Sequence, residues 1–438
     1  MSRSLLQRVK RAFPEKHPLR LTWHRAKAFV AALSCGFPAR RLTIIGITGT
    51  DGKTTTVGMT AHILHAMGIS CGALSTAFFR IKGEVTWNET QKTSPSPFVV
   101  QRFLRRLVNE GCTHAVLECS SHGLVQGRVN WTWPSVAAVT NTSAEHLDYH
   151  GTMEQYRRDK GILFQMLHGH GTKVLNAADE TCPMYLPMPS EKTVFFSSEK
   201  RAGKVPGATY FWLSNIHVKP ASTSALLYWN RDGRTWDLHL GIPGAFNVEN
   251  ALCALSCCYG IGVSPDDALK ALQSFGGVPG RIERIDEGQP FSVFVDFTVT
   301  PASYERTLKT VRDMLTRTQR LLVLTGSCGD RMKEKRPQVG KICSELADVV
   351  VVTNEDPYTE DPEKIIDEVW AGVDQSKTEA HRIPDRLEAM RLVFKQARPG
   401  DAVILCGKGS DTTMYTKDGQ IPWNERQIAR ELLRGKTE

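Results

Sequence analysis

The residues with the most evident chemistry lie in Leu42–Thr56, LTIIGITGTDGKTTT. Apolar, mostly β-branched residues (Leu42, Ile44, Ile45, Ile47) lead into Gly49-Thr50-Asp51-Gly52-Lys53-Thr54-Thr55, and Val57, Met59, Ile63 and Leu64 follow in an amphipathic run. The pattern reads as strand, glycine-rich turn, helix. Glycines let backbone N–H groups approach phosphate oxygens, and a helix N-terminus adds a favourable dipole. Lys53 supplies a cation for the outer phosphates, and Thr54 or Thr55 a hydroxyl for Mg²⁺. The usual phosphate loop has glycine where this chain has Ile47, so the loop is a variant. A tight turn with a solvated lysine is the weaker reading, because the Gly-Lys-Thr triplet stands between an apolar strand and a helix.

Four further clusters carry polar side chains. In Leu117–Arg128 (LECSSHGLVQGR), Glu118 ends an apolar strand, where the active sites of parallel sheets gather. In Thr140–Gly151 (TNTSAEHLDYHG), His146 also follows a strand, so Glu118 and His146 are candidates to meet at one metal. A carboxylate beside phosphates suits Mg²⁺, which prefers oxygen ligands. Taken singly, His146 and His150 read as loop histidines with satisfied hydrogen bonds. Lys160, in YRRDKGILF, lies one helix further on, where a solvated helix lysine is the plain alternative. The last cluster is spread over GSCGDR (326–331), TNEDPY (353–358) and GKGSD (407–411), each after an expected strand. Polar loops at several strand ends form a binding crevice.

The elements that must position these loops are legible from periodicity. Expected strands are Leu42–Thr48, His114–Glu118, Val136–Thr140, Thr172–Asn176 and Thr193–Phe196, alternating with helices near Lys53–Met67, Pro97–Asn109, Met153–Leu167, Val248–Tyr259 and Pro265–Phe275. Such alternation predicts an α/β fold with a mostly parallel sheet covered on both faces. Tyr210–Leu240 alternates with period two and is expected to form a small antiparallel annex. Gly276-Gly277-Val278-Pro279-Gly280 is a domain boundary. A second α/β series follows, with strands at Ser292–Asp296, Arg320–Thr325, Asp348–Thr353 and Ala402–Cys406, and helices after Pro301, Lys333, Pro362 and Asp385. The domains expected are 1–41, a short basic helical segment; 42–278, a central nucleotide-binding domain; and 279–438, a second α/β domain.

The 438 residues give ample core for two or three domains, and no apolar run approaches the ~20 residues that span a bilayer. No secretory leader is visible. The 11 cysteines are scattered without a CxxC pair, which points to a reduced, cytoplasmic protein. The net charge of +9 suits polyanionic small molecules such as nucleotides. Basic residues cluster only in the first forty-one positions, and no nucleic-acid motif accompanies them. That segment is expected to lie on the protein body, with a partner or an anionic membrane surface ranked behind.

The runs TGTDGKTT, ECSSHGLVQGRV, TNTSAEHLDYHGTMEQYRRDKGILF, PGAFNVENALCAL, GVPGRIERI, GDRMKEKRP, NEDPYTEDP and GKGSD stand in the order in which they occur in the Mur ligase family. The chain resembles that family from about residue 42 to its end. It is most similar to the branch that adds the third residue of the peptidoglycan stem peptide. The resemblance implies a P-loop ATPase-like central domain, a C-terminal Rossmann-like domain that takes the amino acid, ATP and Mg²⁺ as cofactors, and an acyl-phosphate intermediate. It implies small-molecule substrates (ATP, an amino acid, a muramoyl-peptide acceptor); no nucleic-acid partner is expected, and the chain is expected to be a monomer.

Carried over by position, Gly49, Thr50, Asp51, Gly52, Lys53, Thr54, Thr55, Asn247 and Arg281 would bind ATP. Thr54, Glu118 and His146 would hold Mg²⁺, and Lys160 matches a lysine whose carbamate supports a second Mg²⁺. Thr93, Ser94, Ser120, Gln126 and Arg128 match acceptor contacts. Arg331, Asp356, Tyr358, Gly407 and Asp411 would face the amino acid. Asp51 replaces the family's usual Asn, and Val299 a usual His. Tyr358 replaces the arginine that grips the distal carboxylate in diaminopimelate-adding members, and Asp411 stands where those carry Glu. The family places a UDP-binding domain ahead of the phosphate loop. Forty-one residues precede Leu42 here, so little contact with uridine is expected. The competing readings are a related ligase for a folate or polyamino-acid carboxylate, and a non-catalytic nucleotide-binding subunit. The SSHGLVQGR and HLDYHG runs argue against the first, and retention of Lys53, Glu118, His146 and Lys160 against the second.

Overall fold

The apolar stretch before the glycine-rich turn is a strand, β1 (Thr43–Thr48), buried at all but its first residue. Burial on both faces is what a parallel sheet covered by helices demands. Ten more strands share its sheet: β2 (Cys71–Leu74), β3 (Phe78–Ile81), β4 (Glu84–Trp87), β5 (His114–Glu118), β6 (Val136–Val139), β7 (Thr172–Asn176), β8 (Lys192–Ser197), β9 (Thr209–Lys219), β10 (Ser222–Trp229) and β11 (Thr235–Leu240). Their order is β11-β10-β9-β8-β7-β6-β1-β5-β2-β3-β4. β1 lies between β5 and β6, parallel to both, with Ile47 opposite Glu118 and Thr48 opposite Val139. That register brings the ends of three strands to one edge, where their loops meet.

The computed structural model describes residues 16–88, 90, 92–200 and 205–435, which fall into two units. The first holds the residues up to Ile216 with Ser224–Leu240 and Phe246–Phe275. The second holds His217–Thr223, Gly241–Ala245 and the chain from Gly276 onward.

Helix Lys53–Ala66 starts directly after Gly52, which takes φ +78°. Helix Pro97–Asn109 has proline in its first turn and buries Val100, Phe103, Leu104 and Leu107. Helix Met153–Gln165 is capped by the Thr152 hydroxyl, which accepts from Gln155 N–H at 3.1 Å. The small annex expected over Tyr210–Leu240 joins the central sheet: β9 pairs in parallel with β8, Val194 opposite Thr209, so its strands extend that sheet. The buried start of β9 leaves an edge that β8 can complete. Strands β2 to β4 escape the sequence pattern, being four residues each without clean alternation.

In the second unit the strands are β12 (Glu283–Ile285), β13 (Ser292–Asp296), β14 (Leu321–Thr325), β15 (Val349–Val352), β16 (Glu379–Arg382) and β17 (Ala402–Cys406), ordered β12-β13-β17-β14-β15-β16. All but β12 run parallel. A hairpin, β18 (Thr413–Thr416) and β19 (Gly419–Pro422), follows. Buried Arg386 donates to Glu425, to Asn354 O at 2.9 Å and to Cys406 O at 2.7 Å, tying the loops after β15 and β17 together. All eleven cysteines are free thiols. Among the described residues no helix is long and apolar enough to cross a membrane.

Candidate active site

The glycine-rich turn is held from beneath by the loop after β6. Thr50 N–H donates to Asn141 O at 2.8 Å, Asp51 N–H to Asn141 Oδ1 at 3.0 Å, and the Thr140 hydroxyl to Asp51 O at 2.6 Å. Gly49 has φ +149°, and a Cβ there would collide with the Thr140 hydroxyl; a Cβ on Gly52 would strike Asn250. Asn250 also donates to Asn247 Oδ1 at 3.2 Å, so helix Ala245–Gly260 sets both asparagines under the turn. Lys53 Nζ donates to Thr50 O at 2.6 Å, folding back over the turn.

Glu118 joins the phosphate loop to a second cluster. Its buried carboxylate is 3.1 Å from the Thr54 hydroxyl through both oxygens, and it accepts from Thr76 N–H at 2.7 Å. The Thr76 hydroxyl is 2.9 Å from Glu118 Oε1 and 2.9 Å from the Thr93 hydroxyl. Ser94 Oγ donates to Glu118 O at 3.2 Å and accepts from Ser120 N–H at 2.9 Å. Arg128 donates to Ser94 O at 2.7 Å and to Gln126 Oε1 at 2.7 Å, and Gln126 Nε2 donates to the Tyr149 hydroxyl at 3.4 Å. Thr93, Ser94, Ser120, Gln126 and Arg128 thus form one network with Glu118 and Thr54. Thr76, its hub, has no sequence signal: it sits on a short loop between strands the periodicity does not reveal.

His146 lies on the loop after β6 with φ +55°, and its ring meets His122 edge-on at 4.9 Å. His122 in turn packs on Tyr149 at 4.0 Å. Burial and the neighbouring His146 push the His122 imidazole down to about 3, so it is neutral. His150 is buried between the Ser121 hydroxyl at 3.0 Å and the Asp159 carboxylate at 2.6 Å. That is the satisfied loop histidine the sequence suggested.

Lys160 is not solvated. It is buried, donates to Gly49 O at 2.6 Å and lies 4.2 Å from the Tyr156 ring centre. Burial foremost, then the Lys53 cation, holds its amine well below the ordinary lysine value.

In the second unit, the loops after β14, β15 and β17 converge. Asp356 accepts from Lys408 Nζ at 2.8 Å through both oxygens and from Tyr415 N–H at 2.8 Å. Lys408 is also 3.7 Å from Asp411. Burial raises the Asp411 carboxyl to about 6 against the pull of Lys408. Tyr358, at φ +52°, stacks on Tyr415 at 4.8 Å, and the Arg331 guanidinium lies 5.7 Å from the Tyr358 ring. Gly407, at φ +104°, is pressed against Glu355, whose carboxylate accepts from the Cys328 thiol at 2.9 Å. Arg281 belongs to this unit, its guanidinium 4.8 Å from the Phe297 ring. Lys408 stands in the GKGSD cluster without an expected role, and Tyr415 lies outside every expected cluster; the Gly-Lys-Gly run gives no hint that Asp356 is brought from the loop after β15.

Residues 47–258 match the family described as Mur ligase middle domain, and residues 280–409 the one described as Mur ligase, glutamate ligase domain. The chain is 38% identical to the UDP-N-acetylmuramyl-tripeptide synthetase of Roseiflexus sp., over 93% of this chain and 82% of that protein. It is 36% identical to the UDP-N-acetylmuramoyl-L-alanyl-D-glutamate–2,6-diaminopimelate ligase of Geobacillus thermodenitrificans, over 94% of this chain and 82% of the relative. A solved ligase of that second name superposes with a TM-score of 0.64 at 28% identity, covering 91% of this chain and 79% of that one. The MurF ligase of Thermotoga maritima, solved with ADP, shares the fold at 17% identity and a TM-score of 0.66, covering 93% and 83%. The two family matches follow one another along the chain as its two α/β units do, and the chain belongs to the Mur ligase family. It is an ATP-dependent ligase that forms peptide bonds in peptidoglycan precursor synthesis.

Proposed function

We propose that this ligase adds one amino acid to the terminal carboxylate of a muramoyl-peptide, as a cytoplasmic monomer working on small-molecule substrates. The observation that carries the reading is the continuous network from Thr54 through Glu118 and Thr76 to Thr93, Ser94, Ser120 and Arg128. It supports a phosphate site and an acceptor site on either side of one carboxylate. Lys53 and the N–H groups of Gly49–Thr55 would hold the ATP phosphates, with Asn247 as a further ATP contact. A buried carboxylate whose hydrogen-bond partners are neutral Thr54 and Thr76 fits a divalent cation. Thr54, Glu118 and His146 would hold Mg²⁺, which when bound supplies positive charge to the phosphate oxygens.

The acceptor carboxylate attacks the γ-phosphorus and ADP leaves, giving an acyl phosphate. The amine of the incoming amino acid attacks the carbonyl carbon, phosphate leaves and the nitrogen loses a proton. Lys53 screens the charge of the two anions as they meet. Lys160 supports a carbamate: its neutral amine attacks carbon dioxide, an N–C bond forms and a proton departs, leaving a carboxylate near the phosphate loop. Asp411 and Asp356, set by Lys408, would receive the ammonium of the amino acid, with Arg331, Tyr358 and Gly407 lining the same loops. Tyr358 cannot make the charged two-point contact of arginine with a carboxylate. The reading therefore favours lysine, or another amino acid without a second carboxylate.

Incubation with ATP, muramoyl-dipeptide and mixed amino acids, followed by mass spectrometry, tests this. The expected product is the acceptor plus one amino-acid residue, with one phosphate released per bond. Phosphate release dependent on a folate or polyamino-acid acceptor instead would reject the assignment.

A further inference from the structure

The helix Pro18–Ser34 has two unlike faces. Ala28, Ala31 and Ala32 are buried, and the helix packs on Pro97–Asn109. On the opposite side Leu19, Trp23, Ala26, Val30 and Leu33 recur at spacings of four and three, which draws one stripe along a helix. Leu19, Trp23, Val30 and Leu33 are 67%, 68%, 53% and 57% exposed. Phe29, beside the stripe, meets the Trp131 ring edge-on at 5.3 Å, and both are exposed, so the apolar surface continues onto the neighbouring loop. Large apolar side chains scattered singly need no explanation, but a continuous patch of this kind marks an interaction site.

The charge around the stripe names the partner. Residues 1–41 hold ten basic residues against one acidic, Glu15; that surplus of nine is the whole chain's, and residues 42–438 are balanced. By helical geometry Arg20 and Lys27 border the stripe on one side and Arg25 on the other. Exposed Arg40 and Arg41 follow the helix. Arg3, Arg8, Lys10 and Arg11 lie outside the described residues and add their charge alone. We propose that this face docks on an anionic lipid bilayer. Leu19, Trp23, Val30 and Leu33 enter the boundary between headgroups and acyl chains, and the flanking cations meet the headgroups. Tryptophan on the apolar side and Lys/Arg at its margins is the composition of an interfacial helix. An antiparallel two-fold pairing of the helix with a second copy would set Arg20 against Lys27, which argues against self-association through this stripe. The proposal does not depend on which amino acid or acceptor the ligase uses.

Flotation of the full chain with phosphatidylglycerol–phosphatidylcholine vesicles, compared with phosphatidylcholine alone, tests it. The chain is expected to float with the anionic vesicles only, and to come off as salt is added. Trp23→Ser with Val30→Ser should weaken partition by about tenfold or more. Arg20→Glu with Lys27→Glu should do the same through charge. None of these four residues is assigned to the site, so unchanged ligation without vesicles and an unchanged melting temperature establish that the variants are folded. Binding to neither vesicle, or equally to both, overturns the proposal. So does retention of vesicle binding by the folded Trp23→Ser/Val30→Ser variant. A dimer that this variant dissolves, with vesicles ignored, would assign the face to a second copy instead.

Discussion

Each unit buries a lysine at the heart of its polar loops, and the two are shifted in opposite directions. Lys160 and Lys408 are both shielded from solvent, and for both the largest influence is burial, which disfavours charge. Lys160 finds a backbone carbonyl, an aromatic face and the cation of Lys53, and its proton is held weakly. Lys408 finds both oxygens of Asp356, with Asp411 beyond, and its pKa is raised above the ordinary lysine value. Depth does not set the charge of a buried amine; the partner does. The first unit keeps an amine whose proton is weakly held beside its glycine-rich turn, and the second keeps a cation held firmly between two carboxylates.

The sharpest way to break the comparison is to deny Lys160 its chemistry. Lys160→Arg keeps a cation but cannot form the carbamate, and kcat is expected to fall by about 10³-fold, as for Lys53→Ala. Depleting bicarbonate should lower the activity of the unchanged chain. A folded Lys160→Arg enzyme of normal activity would remove the carbamate from the mechanism.

Stability separates the two lysines next. Lys408→Met strands Asp356 and Asp411, and should cost about 3–5 kcal/mol in chemical denaturation. The Lys408 contribution is complete at neutral pH and fades only as pH rises through its raised value. Lys160 behaves oppositely. The folded chain binds its proton more weakly than the unfolded chain does, so at neutral pH its presence costs stability, and that cost fades as pH rises through the lowered value toward the free-lysine range. Lys160→Met should therefore be neutral or stabilising. Equal losses for both variants would show that the two sites do not differ in charge.

A smaller effect concerns the loop that Lys408 supports. Tyr358→Arg supplies the missing two-point contact, and should shift competition between lysine and diaminopimelate toward the latter by about tenfold to a hundredfold. If the unchanged chain already prefers diaminopimelate over lysine, the role given to Tyr358 is wrong.

The smallest effect is the pH dependence of amino-acid use. Asp411 carries a proton in the folded chain up to about 6. Between the free-aspartate value and about 6 the folded chain holds a proton that the unfolded chain has lost, so this group's contribution to stability declines as pH rises through that window. An ammonium ligand needs the ionised form, so KM for the amino acid should rise about tenfold per unit below about pH 6, with kcat nearly constant. Asp411→Asn should raise KM and flatten the profile.

Much of the scaffold is legible in the sequence. Pro97–Asn109, His114–Glu118, Thr172–Asn176, Ser292–Asp296 and Ala402–Cys406 have the observed bounds, because proline starts, apolar runs and glycine or polar stops act within a few residues. The short strands β2 to β4 were not readable, since four residues carry too little pattern. Nor was the fusion of β9 to β11 with the central sheet, since which edge a strand joins is not a local property.

The glycine-rich turn, with Gly49, Gly52, Lys53 and Thr54, is legible from the sequence alone, because glycines at its positive-φ positions and the Gly-Lys-Thr run are local features. Tertiary structure alone decided who supports it. Thr76 reaches Glu118 across 42 positions, Thr140 and Asn141 grip the turn from about ninety positions away, and Asn250 sits beneath Gly52 from a helix near the end of the first unit. The charge states of Lys160 and Lys408 belong to the same class. A lysine's pKa depends on the solvent it loses and the carboxylates it meets, and both are settled when distant segments pack.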